Sequence, residues 1–146
     1  MEHGKIKLGM VILMQPDLQK AVDFYKDTLE MKEKFHLQSK WAEFDLGCVK
    51  ICLCPTDQPQ DNVRTGLVLE VFEDLHALCD KLKSEGVTFL NEPVVAPHGI
   101  MAAFKDPGGN VVDLYQATPD KYEAFLKEQK EKLDKAQQEA AKKETK

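Results

Sequence analysis

The chain has no apolar run approaching the ~20 residues needed to span a bilayer, and no CxxC pair among its cysteines at 48, 52, 54 and 79. A membrane span, a zinc ribbon and a thioredoxin-type redox site are therefore not expected. No glycine-rich loop joins a strand to a helix; the glycines of Asp106-Pro-Gly-Gly-Asn110 sit where a hairpin turn belongs, so a phosphate-cradling loop is missing. No Ser-His-Asp or Cys-His arrangement can be built from spacing. Positive charge is short as well. A formal net charge of −5 and a pI of about 5.4 exclude general nucleic-acid affinity, which requires clustered Lys and Arg to displace counterions. The first residues lack the apolar stretch of a secretory leader, so cytosol is the expected compartment and the cysteines are expected to be reduced.

What is present is a repeat. Residues 5–14 make an apolar run of strand length, stopped by Pro16, and Asp17 is a natural N-cap for a helix carrying Leu18, Ala21, Val22, Tyr25 and Leu29 on one stripe. Strands are expected at 33–37, 40–45 and 48–54, with a tight turn at Asp45-Leu-Gly47. A polar stretch, Pro55 to Asn62, reads as a linker. The order then restarts. Thr65–Val71 reads as a strand, Asp74 heads a helix with Leu75, Leu78 and Leu82 inside, and strands follow at 87–90, 100–105 and 110–116. Matched landmarks recur at similar offsets: Asp17 to Asp74 is 57 residues, Phe44 to Phe104 is 60, and Leu53 to Leu114 is 61. Hydrophobic periodicity carries this repeat, since identity between the halves is low.

The expected class is α+β, with two βαβββ modules at 5–54 and 65–116 inside a domain at 1–117. Either module alone buries too little apolar surface to be stable. Pairing covers the cores and leaves the other sheet faces to line a cleft. Thr118-Pro119 starts a third helix, on which Tyr122, Phe125 and Leu126 can pack against the domain. Beyond about Lys127 the 118–146 tail is nearly all Lys, Glu, Gln and Ala, and is expected to fray.

Three segments carry a resemblance to a known family: Gln15-Pro-Asp-Leu-Gln-Lys-Ala-Val-Asp-Phe-Tyr25-Lys-Asp-Thr-Leu29, Trp41-Ala-Glu-Phe-Asp-Leu-Gly-Cys-Val-Lys-Ile-Cys-Leu53, and Phe104-Lys-Asp-Pro-Gly-Gly-Asn-Val-Val-Asp-Leu114. Together they resemble the vicinal oxygen chelate superfamily of glyoxalases, bleomycin-resistance proteins and ring-cleaving dioxygenases, over roughly residues 7 to 116. The resemblance implies a glyoxalase-like domain, often a homodimer that sometimes exchanges modules. In metal-using members it implies four hard donors on the cleft-facing strands. The matching positions here are Met10, Cys52, Gly66 (uncertain by one, because of an apparent extra residue near Phe72) and Asp113. Only Asp113 is a conventional oxygen ligand. No resident metal or other cofactor is therefore expected.

The residues themselves suggest further roles. Glu70 shares a strand face with Gly66 and Val68, and with Asp113 it would make a carboxylate pair for proton transfer or for holding a cation. Met10, Ile12 and Met101 would give an adaptable apolar lining. Trp41 would stack a planar ligand or pack the rim, and His98 would overhang the mouth or be an ordinary loop histidine. His36 and His76 have no assigned role. Cys48, Cys52 and Cys54 alternate on one face. They are either small buried hydrophobes or thiols for a soft ion such as Cu(I) or Hg(II), although positions 48 to 54 of one straight strand spread over about 20 Å. The leading expectation is a binder of a small organic molecule, with a glyoxalase-like lyase or isomerase holding a metal at a non-standard site second, and a soft-metal protein third.

Overall fold

The structure is a computed structural model describing residues 4–144. The outermost residues of the expected domain (1–3) and tail (145–146) lie outside it, as does the first part of the segment read for a leader. The chain runs β1 Met10–Gln15, α1 Leu18–Asp23, a π-helical turn Phe24–Thr28, β2 Lys32–Leu37, β3 Trp41–Asp45 and β4 Lys50–Pro55. It continues with β5 Val63–Glu70, α2 Leu75–Ser84, β6 Thr88–Phe89, β7 Val94–Ala96, β8 Gly99–Lys105, β9 Asn110–Ala117 and α3 Pro119–Glu144. One sheet has the order β1-β4-β3-β2; the other runs β5-β9-β8-β6, with β7 also on β8. In each module the first strand lies parallel to the last, β1 on β4 and β5 on β9. The expected α+β class and paired βαβββ topology are what the structure holds.

Both module helices start for the same chemical reason. The Asp17 carboxylate accepts the Lys20 amide at 3.1 Å, and the Asp74 carboxylate accepts the His76 amide at 3.0 Å, so each aspartate satisfies a donor left free in the first turn. The stripe below is apolar. Leu18, Ala21, Val22 and Tyr25 bury against Phe44, Ile51 and Leu53; Leu75, Cys79 and Leu82 bury against Phe104, Val112 and Leu114. Phe24, Leu29, Leu67 and Leu69 pack against both groups and join them into one core.

A buried polar cluster fastens the modules at one end of β1. Asp106 accepts from Gln15 Nε2 at 2.7 Å, from Tyr25 Oη at 2.8 Å, and from the amides of Gly108 and Asn110 at 2.9 Å each. Burial, reinforced by the Asp106 charge, holds the Tyr25 hydroxyl well above its usual pKa, so it stays a donor. Asn110 Nδ2 and Gln60 Nε2 both donate to the Met14 carbonyl, at 2.9 and 2.8 Å. The polar linker is thereby seated on the turn. Gly108 fits because a Cβ there would run into the Gln15 side chain.

Four expectations are corrected. The first strand begins at Met10, not Lys5; residues 5–9 lie outside any strand, with Ile6 and Leu8 exposed, because β4 supplies partners only from Lys50 onward. The second module has an unforeseen strand, β7, paired on β8. The irregularity placed near Phe72 falls instead between Arg64 and Val68 of β5. There Gly66 takes φ +70°, and the Thr65 hydroxyl donates to the Val111 carbonyl at 2.6 Å in place of a ladder bond. Finally, the tail does not fray after Lys127: α3 is one 26-residue helix with no buried residue.

Candidate functional site

Strand alternation decides which side chains reach the outer sheet faces. On β1, Leu13 and Gln15 point into the core while Met10, Ile12 and Met14 face out and are exposed. Ile51 and Leu53 of β4 are core residues, and Cys52 between them faces the other way. Cys52 is nonetheless fully covered, because Met10 lies over it with Sδ 3.8 Å from Sγ. Burial first, and the nearby Glu43 charge second, push the Cys52 thiol up in pKa. The raised pKa makes it a poor nucleophile.

Beside it on β3, Trp41 Nε1 donates to Glu43 Oε1 at 3.1 Å, and Lys50 stands 3.6 Å from the same carboxylate. The indole hydrogen bond, with Lys50 behind it, holds Glu43 below the usual carboxylate pKa. Cys54 is half-buried, with its sulfur near the Pro55 carbonyl. Cys48 is a partial correction: it precedes β4 and is exposed, so it does not share the ladder with Cys52 and Cys54.

On the second sheet Val68 pairs with Asp113 and Glu70 with Tyr115 across β5 and β9, while Met101 of β8 pairs with Tyr115 and Ala103 with Asp113. Glu70 is exposed and Asp113 half-buried. The register makes them diagonal neighbours. Tyr115, which was not singled out from sequence, completes the patch. Its hydroxyl donates to the His98 carbonyl at 2.9 Å and is met by His98 Nδ1 at 3.1 Å. The His98 ring also stands edge-on to Tyr122 of α3, with centroids 6.2 Å apart. His98 is therefore occupied in fixing the base of the C-terminal helix. The alternation Asp113, Tyr115 was the available signal for Tyr115, and the Trp41-to-Glu43 spacing was the signal for Glu43.

The structure thus gathers Met10, Cys52, Trp41 and Ile12 on one outer face, and Glu70, Asp113 and Met101 on the other. Among the described residues no hydrogen bond, ion pair or ring contact joins these two groups. A cavity of about 930 Å³ lies between the modules; it takes in Glu70 and Val68 but neither Met10, Cys52 nor Asp113.

The donor set does not fit a hard divalent ion. Met10 offers a thioether, Cys52 a buried thiol, Gly66 no side chain, and Asp113 alone a carboxylate. Among the described residues no three His, Cys, Asp or Glu side chains converge. Four-coordinate centres draw on imidazole, carboxylate and thiolate, and of these four positions only Cys52 and Asp113 carry a side chain of that kind.

Comparison with known proteins agrees with the fold. The family model described as glyoxalase/bleomycin resistance protein/dioxygenase superfamily matches residues 7–114. The chain belongs to that superfamily. Among solved structures it is similar to a superfamily member from Sphaerobacter thermophilus, at 24% identity, over 76% of this chain and 97% of that one, with TM-score 0.64. It is also similar to the fosfomycin resistance protein FosX from Listeria monocytogenes (19% identity, 79% and 94% covered, TM-score 0.66). A third is the lactoylglutathione lyase from Agrobacterium tumefaciens (13% identity, 77% and 95% covered, TM-score 0.64). Among curated proteins none matches at a significant level. No helix of the described residues is long and apolar enough to cross a membrane.

Proposed function

We propose that this chain binds a small organic molecule on its outer sheet faces, without the divalent centre that metal-using superfamily members employ. The observation that carries the reading is the Met10–Cys52 contact at 3.8 Å. Where such members are expected to offer hard donors, this chain packs a thioether on a buried thiol and presents an apolar floor. Trp41 and Ile12 extend that floor on the first sheet; on the second, Met101 and Val68 lie beside Asp113 and Glu70, whose carboxylates give that face acidic character suited to a cationic or hydrogen-bonding ligand. His98 fixes one margin through Tyr115, and Cys54 lies at the edge of the first face.

The working unit of this reading is a homodimer, in the cytosol. Ile12, Phe35 and Leu37 on the first sheet and Val68 and Val94 on the second are exposed apolar side chains, which a second copy would cover while closing the ligand space. A second reading is favoured by the β5–β9 register: Glu70 and Asp113 stand as diagonal neighbours, an arrangement able to move a proton in a glyoxalase-like isomerisation. The soft-metal reading loses one expected donor, because Cys48 is exposed and precedes β4, away from Cys52 and Cys54.

The test is a thermal-shift screen of aromatic and cationic organic compounds, with sedimentation on the same samples. The reading expects at least one stabilising compound, a sedimenting mass twice 16.5 kDa, and loss of the compound's shift in Ile12→Lys and Asp113→Asn. A monomer that no compound stabilises contradicts it. Turnover of the methylglyoxal–glutathione adduct, lost in Asp113→Ala, would favour the lyase reading instead.

A further inference from the structure

The internal repeat gives the molecule two corresponding seams where the start of one module's helix meets the other module's hairpin turn. They are filled differently. Gln15 and Phe72 each stand two residues before the capping aspartate of their helix, Asp17 and Asp74. Gln15 is fully buried and bonds Asp106 in the 106–110 turn, with Tyr25 closing the same space. Phe72 is 90% exposed, and the residue matching Tyr25 at the 57-residue offset is Leu82, which carries no hydroxyl. In the turn on this side Asp45, the counterpart of Asp106, is only half-buried and accepts the Gly47 amide, and the turn presents Leu46, Cys48 and Val49 to the space. One seam is plugged by a hydrogen-bonded cluster. At the other the same space is left open, and it is the cavity of about 930 Å³.

Its walls have a consistent chemistry. The floor is made by buried Leu82 and Leu114, and half-buried Leu29, Leu69 and Leu78 rise from it. The solvent-facing rim carries Glu30, Glu70 and Glu73, with Asp74 committed to its helix cap; Lys81 is the basic residue of the lining. Phe72 adds an exposed aromatic ring at that rim, a surface that attracts cations. A volume near the top of the usual range for ligand pockets, an aliphatic floor and an acidic, aromatic mouth belong together.

We infer that this inter-module cavity is a second binding site, sharing only Val68 and Glu70 with the outer faces, and that it takes an amphipathic cation: an aliphatic body lying on the leucines and a quaternary or primary ammonium head at the Glu30, Glu73 and Phe72 rim. Carboxylates outnumbering the one lysine at the mouth exclude an anionic head of the same length, because like charges there would be held close in a partly desolvated rim.

The experiment uses calorimetric titration of the full chain with dodecyltrimethylammonium and, separately, dodecyl sulfate, both below their micelle-forming concentrations. The expected result is one equivalent of the cation bound at least tenfold more tightly than the sulfate. Ala77→Trp, at an exposed position of α2 that lines the cavity, is expected to weaken the cation at least tenfold while leaving the unfolding temperature of the free protein unchanged. Slower alkylation of Cys48, another lining residue, is expected in the presence of the cation. Glu70 lines this cavity and borders the outer-face site, so it is kept native. Equal binding of both amphiphiles, no binding of either, or a cation affinity untouched by Ala77→Trp overturns the inference. Ile12→Lys, which tests the outer faces, leaves the cation titration unchanged, so the two sites fail separately.

Discussion

A single carboxylate has more structural consequence in this chain than any residue of the outer faces. Asp106 takes hydrogen bonds from two buried side chains and two backbone amides, and those donors belong to both modules. Removing the acceptor leaves Tyr25, Gln15 and the turn amides buried without partners, and buried orphans cost more than the bond itself contributed. Asp106→Ala is expected to lower unfolding stability by at least about 1–3 kcal/mol, the cost of leaving a neutral buried donor unsatisfied, read as a fall in urea midpoint. Asp106→Asn is expected to lose less, since the amide keeps one accepting oxygen. A midpoint within error of the parent would contradict the clamp. From sequence, Asp106 is turn chemistry and Tyr25 a helix-face residue; that they meet 81 residues apart depends on the docking of modules, which no local pattern records. Met10 over Cys52 was legible only as shared strand parity. The contact itself follows from the parallel β1–β4 register.

At the scale of elements, the strongly periodic ones were readable: both capped helices and the two hairpins follow from Pro16, the two capping aspartates and alternation in β8 and β9, whereas the parallel pairing of each module's first and last strands came from the structure. The short β7 was not. Its three residues carry no period and pair only because β8 offers an edge. The tail was misread in the other direction. Charge and missing apolar residues suggested disorder, yet spaced opposite charges such as Glu128 and Lys132, 3.0 Å apart, together with alanine-rich composition, sustain a helix on their own. The helix extends about 39 Å at 1.5 Å per residue and is held to the domain at its base, through Tyr122 and His98. Truncation after Lys127 is therefore expected to reduce the far-UV helical signal while changing domain stability by less than about 0.5 kcal/mol. A larger loss would mean that residues beyond Lys127 pack on this domain or on a partner copy.

At the scale of the whole molecule, two weakly similar halves share one core and present two outer faces with different chemistry: sulfur and indole on the first sheet, carboxylates on the second. Superfamily membership sets this architecture, but fold alone does not set the reaction. The resemblance to the superfamily marks positions 10, 52, 66 and 113 as the ones to examine, and the register of β5 had to be seen because the bulge at Gly66 shifts it. The most direct test of the account is a calorimetric titration of the reduced protein with Ni(II) and Mn(II). The expected result is no one-to-one binding of either ion at micromolar concentrations. One equivalent of tightly held ion that disappears in Asp113→Ala would contradict a ligand floor built from Met10 and Cys52.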